Sequence, residues 1–398
     1  MQVCISRNVL GSSKHLLVGD DSFSWTMTDP STTSGFAFGF NDHVRSIEPL
    51  LSLHEIPISQ ISSRSERNTF KSCNYSLTPP WPLVLGKSEF LKRTASICDE
   101  LRSAATFLAE QEYTEVFLNG NLPLASLVDA HVNTKELQKQ CASTENLTLK
   151  NYARLISGSI SSAPTYNRIK TKTGRLTIKK GPPILTLPKS VRSAYTSQYK
   201  DGGVIIEIDF TSLEPRCASN IAGNDFSDHD IYVHLKNLIG IQSDRNSVKE
   251  LVISLLYGAG DSRAKSILQK GSSEENLSNK FQAVKDFFDL DKMKEKLAKQ
   301  AKTGSLLNFF GRPIAVDNIQ PGVLVNNYIQ STAVDLSLLG FGDLLSRIDK
   351  RKAKPLFIIH DALIIDVMKD YIDEIKAVAG DYYRHADLGI FPWKIRSV

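Results

Sequence analysis

Two apolar runs stand out from the hydrophobic and polar pattern of the chain. Val204-Ile205-Ile206-Glu207-Ile208 ends in Asp209, and Leu356-Phe357-Ile358-Ile359-His360 leads into Asp361, with Leu363-Ile364-Ile365 just beyond. β-Branched density of this kind predicts strands, and the second run predicts a hairpin of residues 357–360 with 363–367. Helical spacing of Leu91, Ile97, Leu101, Ala105 and Leu108 predicts a helix over residues 88–110. A short strand at 115–118, a turn at Asn119-Gly120-Asn121 and a helical stretch over 134–158 follow. Ser243 or Asp244 is placed to cap a helix running through Leu256 and closed by Gly258 and Gly260. Further helices are expected at 273–288, 292–302, 322–345 and 371–383, with a turn at Gly311-Arg312-Pro313. Residues 1–88 mix short β-like runs, 3–9 and 23–27, with loops, and carry no recognisable chemistry. Strand-rich pieces therefore flank a helical insertion between Asp244 and Gly304, and the two aspartates are expected on one sheet.

Composition narrows the class. The chain has 398 residues, 41% hydrophobic and 23% charged, as in soluble globular proteins. No run of about 18 apolar residues is present, so no membrane partner is expected. The N-terminal residues lack the pattern of a secretory signal, and five scattered cysteines contain no CxxC pair. A reducing, cytoplasmic setting is the expectation. The net charge of +5 is modest, but its distribution is not even. From Pro164 to Lys200 there is no acid, whereas Arg168, Lys170, Lys172, Arg175, Lys179, Lys180, Lys189, Arg192 and Lys200 are all cationic. Such a stretch attracts a phosphate backbone without reading its sequence.

A carboxylate within an apolar strand is costly unless a cation meets it. Two on adjacent strands could share divalent metals, the construction used for phosphoryl transfer. Arg245, Lys249, Ile253 and Tyr257 recur every four residues, so the two cations lie side by side on one helix face. An anion such as a triphosphate would relieve their repulsion.

Together these segments resemble the family A DNA polymerases. Asp209-Phe210-Thr211-Ser212-Leu213-Glu214-Pro215-Arg216 is similar to the family's motif A, Arg245-x3-Lys249-x7-Tyr257-Gly258 to motif B, and His360-Asp361-Ala362 to motif C. Thr173-Gly174-Arg175-Leu176, Gly311-Arg312 and Asn326-x3-Gln330-x4-Asp335 match smaller family segments in the same order. The resemblance covers roughly residues 150–398. It implies an α+β right-hand fold: an antiparallel-sheet palm over 151–240 and 311–398, helical fingers over 241–310, and a small helical thumb over 89–150. The role of 1–88 stays open.

The resemblance further implies template-directed extension of a primer 3′-hydroxyl with deoxynucleoside triphosphates. Asp209, Asp361 and the Phe210 carbonyl would hold two Mg²⁺ ions, or Mn²⁺. Arg245 and Lys249 would bind the triphosphate, with Lys249 also a candidate proton donor to pyrophosphate. Ile253, Tyr257 and Glu214 would line the nucleotide, and Glu214 would leave little room for a 2′-hydroxyl. Arg175, Arg192, Asn326, Gln330 and His360 would contact primer–template DNA. Several positions depart from the family pattern. Ala362 replaces the usual motif C glutamate, Ile253 an aromatic residue, Tyr232 a histidine after Asp230-Ile231, and Gly322 an arginine. No Asp-x-Glu pair of a proofreading exonuclease is found. A compact, phage-type member without 3′–5′ proofreading is expected, acting in a host cytoplasm with a separate exonuclease, helicase or processivity subunit. A single-subunit RNA polymerase and an inactive nucleic-acid-binding homologue are the other readings. Glu214 argues against the first, and the retained Asp209, Asp361, Arg245 and Lys249 against the second.

Overall fold

The structure is a computed structural model, which describes residues 2–75, 77–156, 158–224, 230–240, 244–259, 262, 266–267 and 277–398. Ser243, Gly260 and the first residues of the helix expected from 273 lie outside these. The chain divides into two compact units, Met1–Ala125 and Ser126–Val398. That boundary falls inside the segment expected as one thumb.

The first unit holds strands β1 (Val3–Ile5), β2 (His15–Val18), β3 (Phe23–Thr26) and β4 (Phe36–Phe38), in the sheet order β3-β2-β1-β4. Only the first half of the apolar run at 3–9 is strand, because Ser6 accepts from Asn8 N–H and caps a helical turn, Arg7–Leu10. Helix α1 (Lys87–Ala109) packs on β1 and buries Phe90, Ile97, Leu101, Ala105 and Leu108. The strand expected at 115–118 is instead part of helix α2 (Glu112–Asn119). Its buried residues Tyr113, Thr114, Phe117 and Leu118 fall at i, i+1, i+4 and i+5. A stretch as short as Glu115-Val116-Phe117-Leu118 cannot distinguish that pattern from a strand.

In the second unit the stretch expected as one helix is two, α3 (Thr134–Ala142) and α4 (Leu147–Leu155), with Asn146 capping the second. The basic segment folds into a hairpin of β5 (Thr165–Asn167) with β6 (Thr177–Lys180), then a 3-10 turn at Lys189–Ala194. Strand β7 (Gly203–Phe210) is central to a five-stranded antiparallel sheet. Helices α5 (Leu213–Ile221), α6 (Ile231–Ile239), α7 (Arg245–Leu256), α8 (Leu277–Phe287), α9 (Leu290–Lys302) and α10 (Pro321–Arg347) follow β7 in the chain. The chain then returns to the sheet through β8 (Ala353–Ile359) and β9 (Ala362–Met368). After helix α11 (Ile372–Ala379), β10 (Tyr382–His385) and β11 (Gly389–Ser397) complete the order β8-β9-β7-β11-β10. The helix expected over 371–383 thus stops early. The alternating pattern Phe391-Pro392-Trp393-Lys394-Ile395-Arg396, passed over in the sequence, is a sheet strand paired with β7.

Alternation gives β7 two unlike faces. Ile206, Ile208 and Phe210 are buried, and the Phe210 ring meets Phe341 of α10 at 5.4 Å and Trp393 of β11 at 5.2 Å. Gly340 makes this approach feasible, since a Cβ there would lie 2.9 Å from the Phe210 ring and 3.1 Å from Tyr383. The opposite face carries Glu207 and Asp209.

Candidate active site

Asp209 lies where β7 leaves the sheet, paired in register with Ala362 on one side and Lys394 on the other. Asp361 lies in the two-residue turn between β8 and β9, preceded by His360 at φ +57°. The Phe210 N–H donates to the Asp361 carbonyl at 3.1 Å, which ties the two acidic strand ends together. Burial raises the Asp361 carboxyl, and the Asp209 charge adds to it, bringing it to about 6. Burial and the Glu207 charge also raise Asp209, against the opposing pull of Arg396. Two carboxylates that each resist ionisation beside the other form a ready site for a cation.

After Phe210 the chain turns sharply at Ser212, φ +55°, into α5, and Glu214 falls in its first turn. There the helix N-terminus favours a negative charge. Glu214 accepts from Tyr257 Oη at 2.9 Å and from Arg175 Nη2 at 3.0 Å, and Arg175 also reaches Tyr257 at 3.2 Å. Burial and the Glu214 charge raise the Tyr257 phenol, so it stays a donor.

Helix α7 starts at the cap Asp244, which accepts from Ser247 N–H at 2.8 Å. It buries Val248, Leu251, Val252, Leu255 and Leu256. Its other face turns Arg245, Lys249, Ile253 and Tyr257 into one cleft of about 710 Å³, shared with Asp209, Asp361, Glu214, Arg175, His360 and Lys394. Arg245 is held by Asp230 at 2.6 Å and lies over the Tyr232 ring at 5.0 Å. Tyr232 is thus a stacking platform for the cation.

Residues 110–388 match the model of DNA polymerase family A. The chain belongs to that family. It is 22% identical over 263 residues to the thermostable DNA polymerase I of Thermus thermophilus, covering 58% of this chain and 30% of that protein. Against DNA polymerase I of Bacillus subtilis it is 23% identical over 256 residues, covering 56% and 28%. The chain therefore spans about 30% of the length of these relatives. The fold is shared with the polymerase domain of Pol1 from M. smegmatis, solved with DNA primer-template and dNTP. That match has a TM-score of 0.67 at 12% identity, covering 100% of this chain and 94% of that one.

Within this family A chain, ten of the expected site residues line one cleft: Asp209, Phe210, Glu214, Arg245, Lys249, Ile253, Tyr257, His360, Asp361 and Arg175. His360 is exposed there, not a core histidine. Arg192, Asn326 and Gln330 do not line it. Arg192 is ion-paired with the buried Glu207. Gln330 is buried and accepts from Thr173 Oγ1 at 2.7 Å, which fixes the turn that presents Arg175. Beneath that turn Asp335 accepts from Arg168 at 3.0 Å and from Asn308 at 2.8 Å.

Two departures gain a physical account. Ala362 is buried and puts a methyl directly opposite Asp209. Gly322 meets Gly258, at the end of α7, backbone to backbone; a Cβ on Gly322 would come within 2.6 Å of the Gly258 Cα, so an arginine has no space there. Reasoning from sequence missed Lys394 and Arg396 because it stopped short of β11. It read Glu207 only as a strand residue. The period-two charges on an apolar strand were the available signal.

Proposed function

We propose that this chain is a template-directed DNA polymerase that extends a DNA primer 3′-hydroxyl with deoxynucleoside triphosphates. The observation that carries the reading is the convergence in one cleft of Asp209 and Asp361 with Arg245, Lys249 and the Glu214–Tyr257 pair. The sheet would be the palm, and the helices from α7 to α9 the fingers.

The donor set fits a hard divalent cation: two carboxylates at adjoining strand ends, one of them raised to about 6 by burial and its neighbour. Asp209, Asp361 and the Phe210 carbonyl would hold Mg²⁺, which when bound supplies charge stabilisation at the reacting phosphate. Arg245, braced by Asp230 and Tyr232, binds triphosphate oxygens. Lys249, one turn along, binds beside it and gives its Nζ proton to the departing pyrophosphate. Tyr257 carries the sugar, and Glu214 closes the space at C2′. Arg175 and His360 lie on the primer side of the cleft, and the acid-free segment around them receives the duplex backbone.

An RNA polymerase would need room where Glu214 is held, which disfavours that alternative. The test is extension of a labelled primer on a DNA template with Mg²⁺ and each nucleotide class. Template-dependent addition of deoxynucleotides, abolished in Asp209→Asn and Asp361→Asn, is the expected result. Equal extension by these variants, or preference for ribonucleotides, would overturn the proposal.

A further inference from the structure

Arg396 of β11 joins two acids on the reacting face of the sheet. Its Nε donates to Glu207 Oε2 at 2.6 Å and its Nη2 to Asp209 Oδ2 at 2.8 Å. The register explains the geometry: Glu207 lies directly opposite Arg396, and Asp209 is two residues further along the same face. Glu207 is itself nearly inaccessible, at 3% exposure, and also pairs with Arg192, with Lys189 at 3.8 Å. A fully desolvated glutamate one pleat from a catalytic aspartate is costly unless its charge is used. Here it anchors the guanidinium and offsets its charge.

We propose that Arg396 is a positioning residue for Asp209, with Glu207 as its anchor. A fork bonded to two carboxylates fixes Asp209 through one oxygen and leaves the other for the cation. The role matters in this chain because Ala362 brings no third acid to the site. The same guanidinium charge opposes a divalent cation, and Glu207 moderates that opposition. Arg396 therefore trades cation affinity for orientation. Removing it frees Asp209 to bind a cation more tightly but in unproductive rotamers. Removing the Glu207 charge leaves Arg396, Arg192 and Lys189 less compensated beside Asp209 and weakens cation binding.

This inference rests on the nucleotidyl-transfer reading, and the experiment separates the two. Mn²⁺ binding to the full chain with primer–template is measured by electron paramagnetic resonance, alongside kcat and KM for one deoxynucleotide at saturating Mn²⁺. Arg396→Gln is expected to bind Mn²⁺ about tenfold tighter, as expected for an attenuated charge interaction at a half-exposed site, while kcat falls at nearly constant KM. Glu207→Gln should shift Mn²⁺ affinity the opposite way. Arg396→Lys should restore the affinity but not kcat, since a point charge replaces the fork. Circular dichroism melts identify any variant that is unfolded, and the opposite signs of the two affinity shifts cannot arise from general destabilisation. Unchanged or weakened Mn²⁺ binding in a folded Arg396→Gln would overturn the proposal. A wild-type chain that binds no Mn²⁺ and adds no nucleotide would overturn the polymerase reading and this inference with it.

Discussion

Glu214→Ala is expected to relax sugar selection, by an amount that the hydrogen-bond geometry sets. Both carboxylate oxygens are already engaged, Oε2 by Tyr257 at 2.9 Å and Oε1 by Arg175 at 3.0 Å. The side chain is 19% exposed, so water offers a displaced oxygen little compensation. A ribonucleotide must therefore either clash with the carboxylate or break one of these bonds to seat its 2′-hydroxyl. A hydrogen bond to a charged group is worth about 1.5–3 kcal/mol. At 1.4 kcal/mol per decade, that is discrimination of about tenfold to about 150-fold. The alanine variant should lose that factor in the ratio of kcat/KM for dGTP over GTP, with most of the loss appearing as a gain for GTP. Tyr257→Phe removes one of the two bonds and should give a smaller loss in the same direction. Single-nucleotide primer extension on a template with one cytosine reads both constants. If Glu214→Ala keeps the wild-type ratio within about twofold while still using dGTP, the wall assigned to Glu214 is refuted.

Three other outcomes are expected. Asp335→Ala should destabilise the second unit by about 3–5 kcal/mol in urea unfolding, because it removes the buried carboxylate paired with the buried guanidinium of Arg168; an effect under about 1 kcal/mol would show the pair to be dispensable. Ile253→Phe restores an aromatic wall in the cleft and should change the ratio of dideoxy- to deoxynucleotide incorporation; identical ratios in the two proteins would remove any role for Ile253 in sugar handling. The purified chain should leave a mismatched single-stranded primer end intact in Mg²⁺, and degradation that survives stringent purification and is lost in no palm-site variant would reveal a nuclease centre elsewhere.

Local patterns carried the residues of the candidate site to one cleft, because their positions follow from short-range periodicity. Asp209 and Asp361 each end an apolar strand. A helical period alone puts Arg245, Lys249, Ile253 and Tyr257 on one face, and all four line the cleft. Elements whose identity depends on what packs against them were less legible. Residues 115–118 look like a strand in isolation; Tyr113 and Phe117, with rings 5.9 Å apart on one buried side, make them helical. The acid-free segment reads as a uniform basic patch, yet Arg168 is buried on Asp335 and Arg192 is paired with the buried Glu207, so part of that charge is committed to internal acids.

The departure at Ala362 illustrates the same limit at the site itself. From the motif alone, alanine for glutamate reads as simple loss of an acid. The strand alters that reading, because its alternation puts Glu207 on the face of Asp209 and the register with β11 brings Arg396 between them. Glu207 lies 155 positions from Ala362 in the chain, and neither residue hints at the other. Strand alternation brings Glu207, and the antiparallel pairing of β7 with β9 and β11 brings Ala362 and Arg396, to the same carboxylate, Asp209. The number of acids at a motif is therefore a poor measure of its charge. What governs Asp209 is its burial and the balance of Glu207 against Arg396, Lys189 and Arg192, and in this chain a cross-strand arginine, rather than a third acid, is bonded to it.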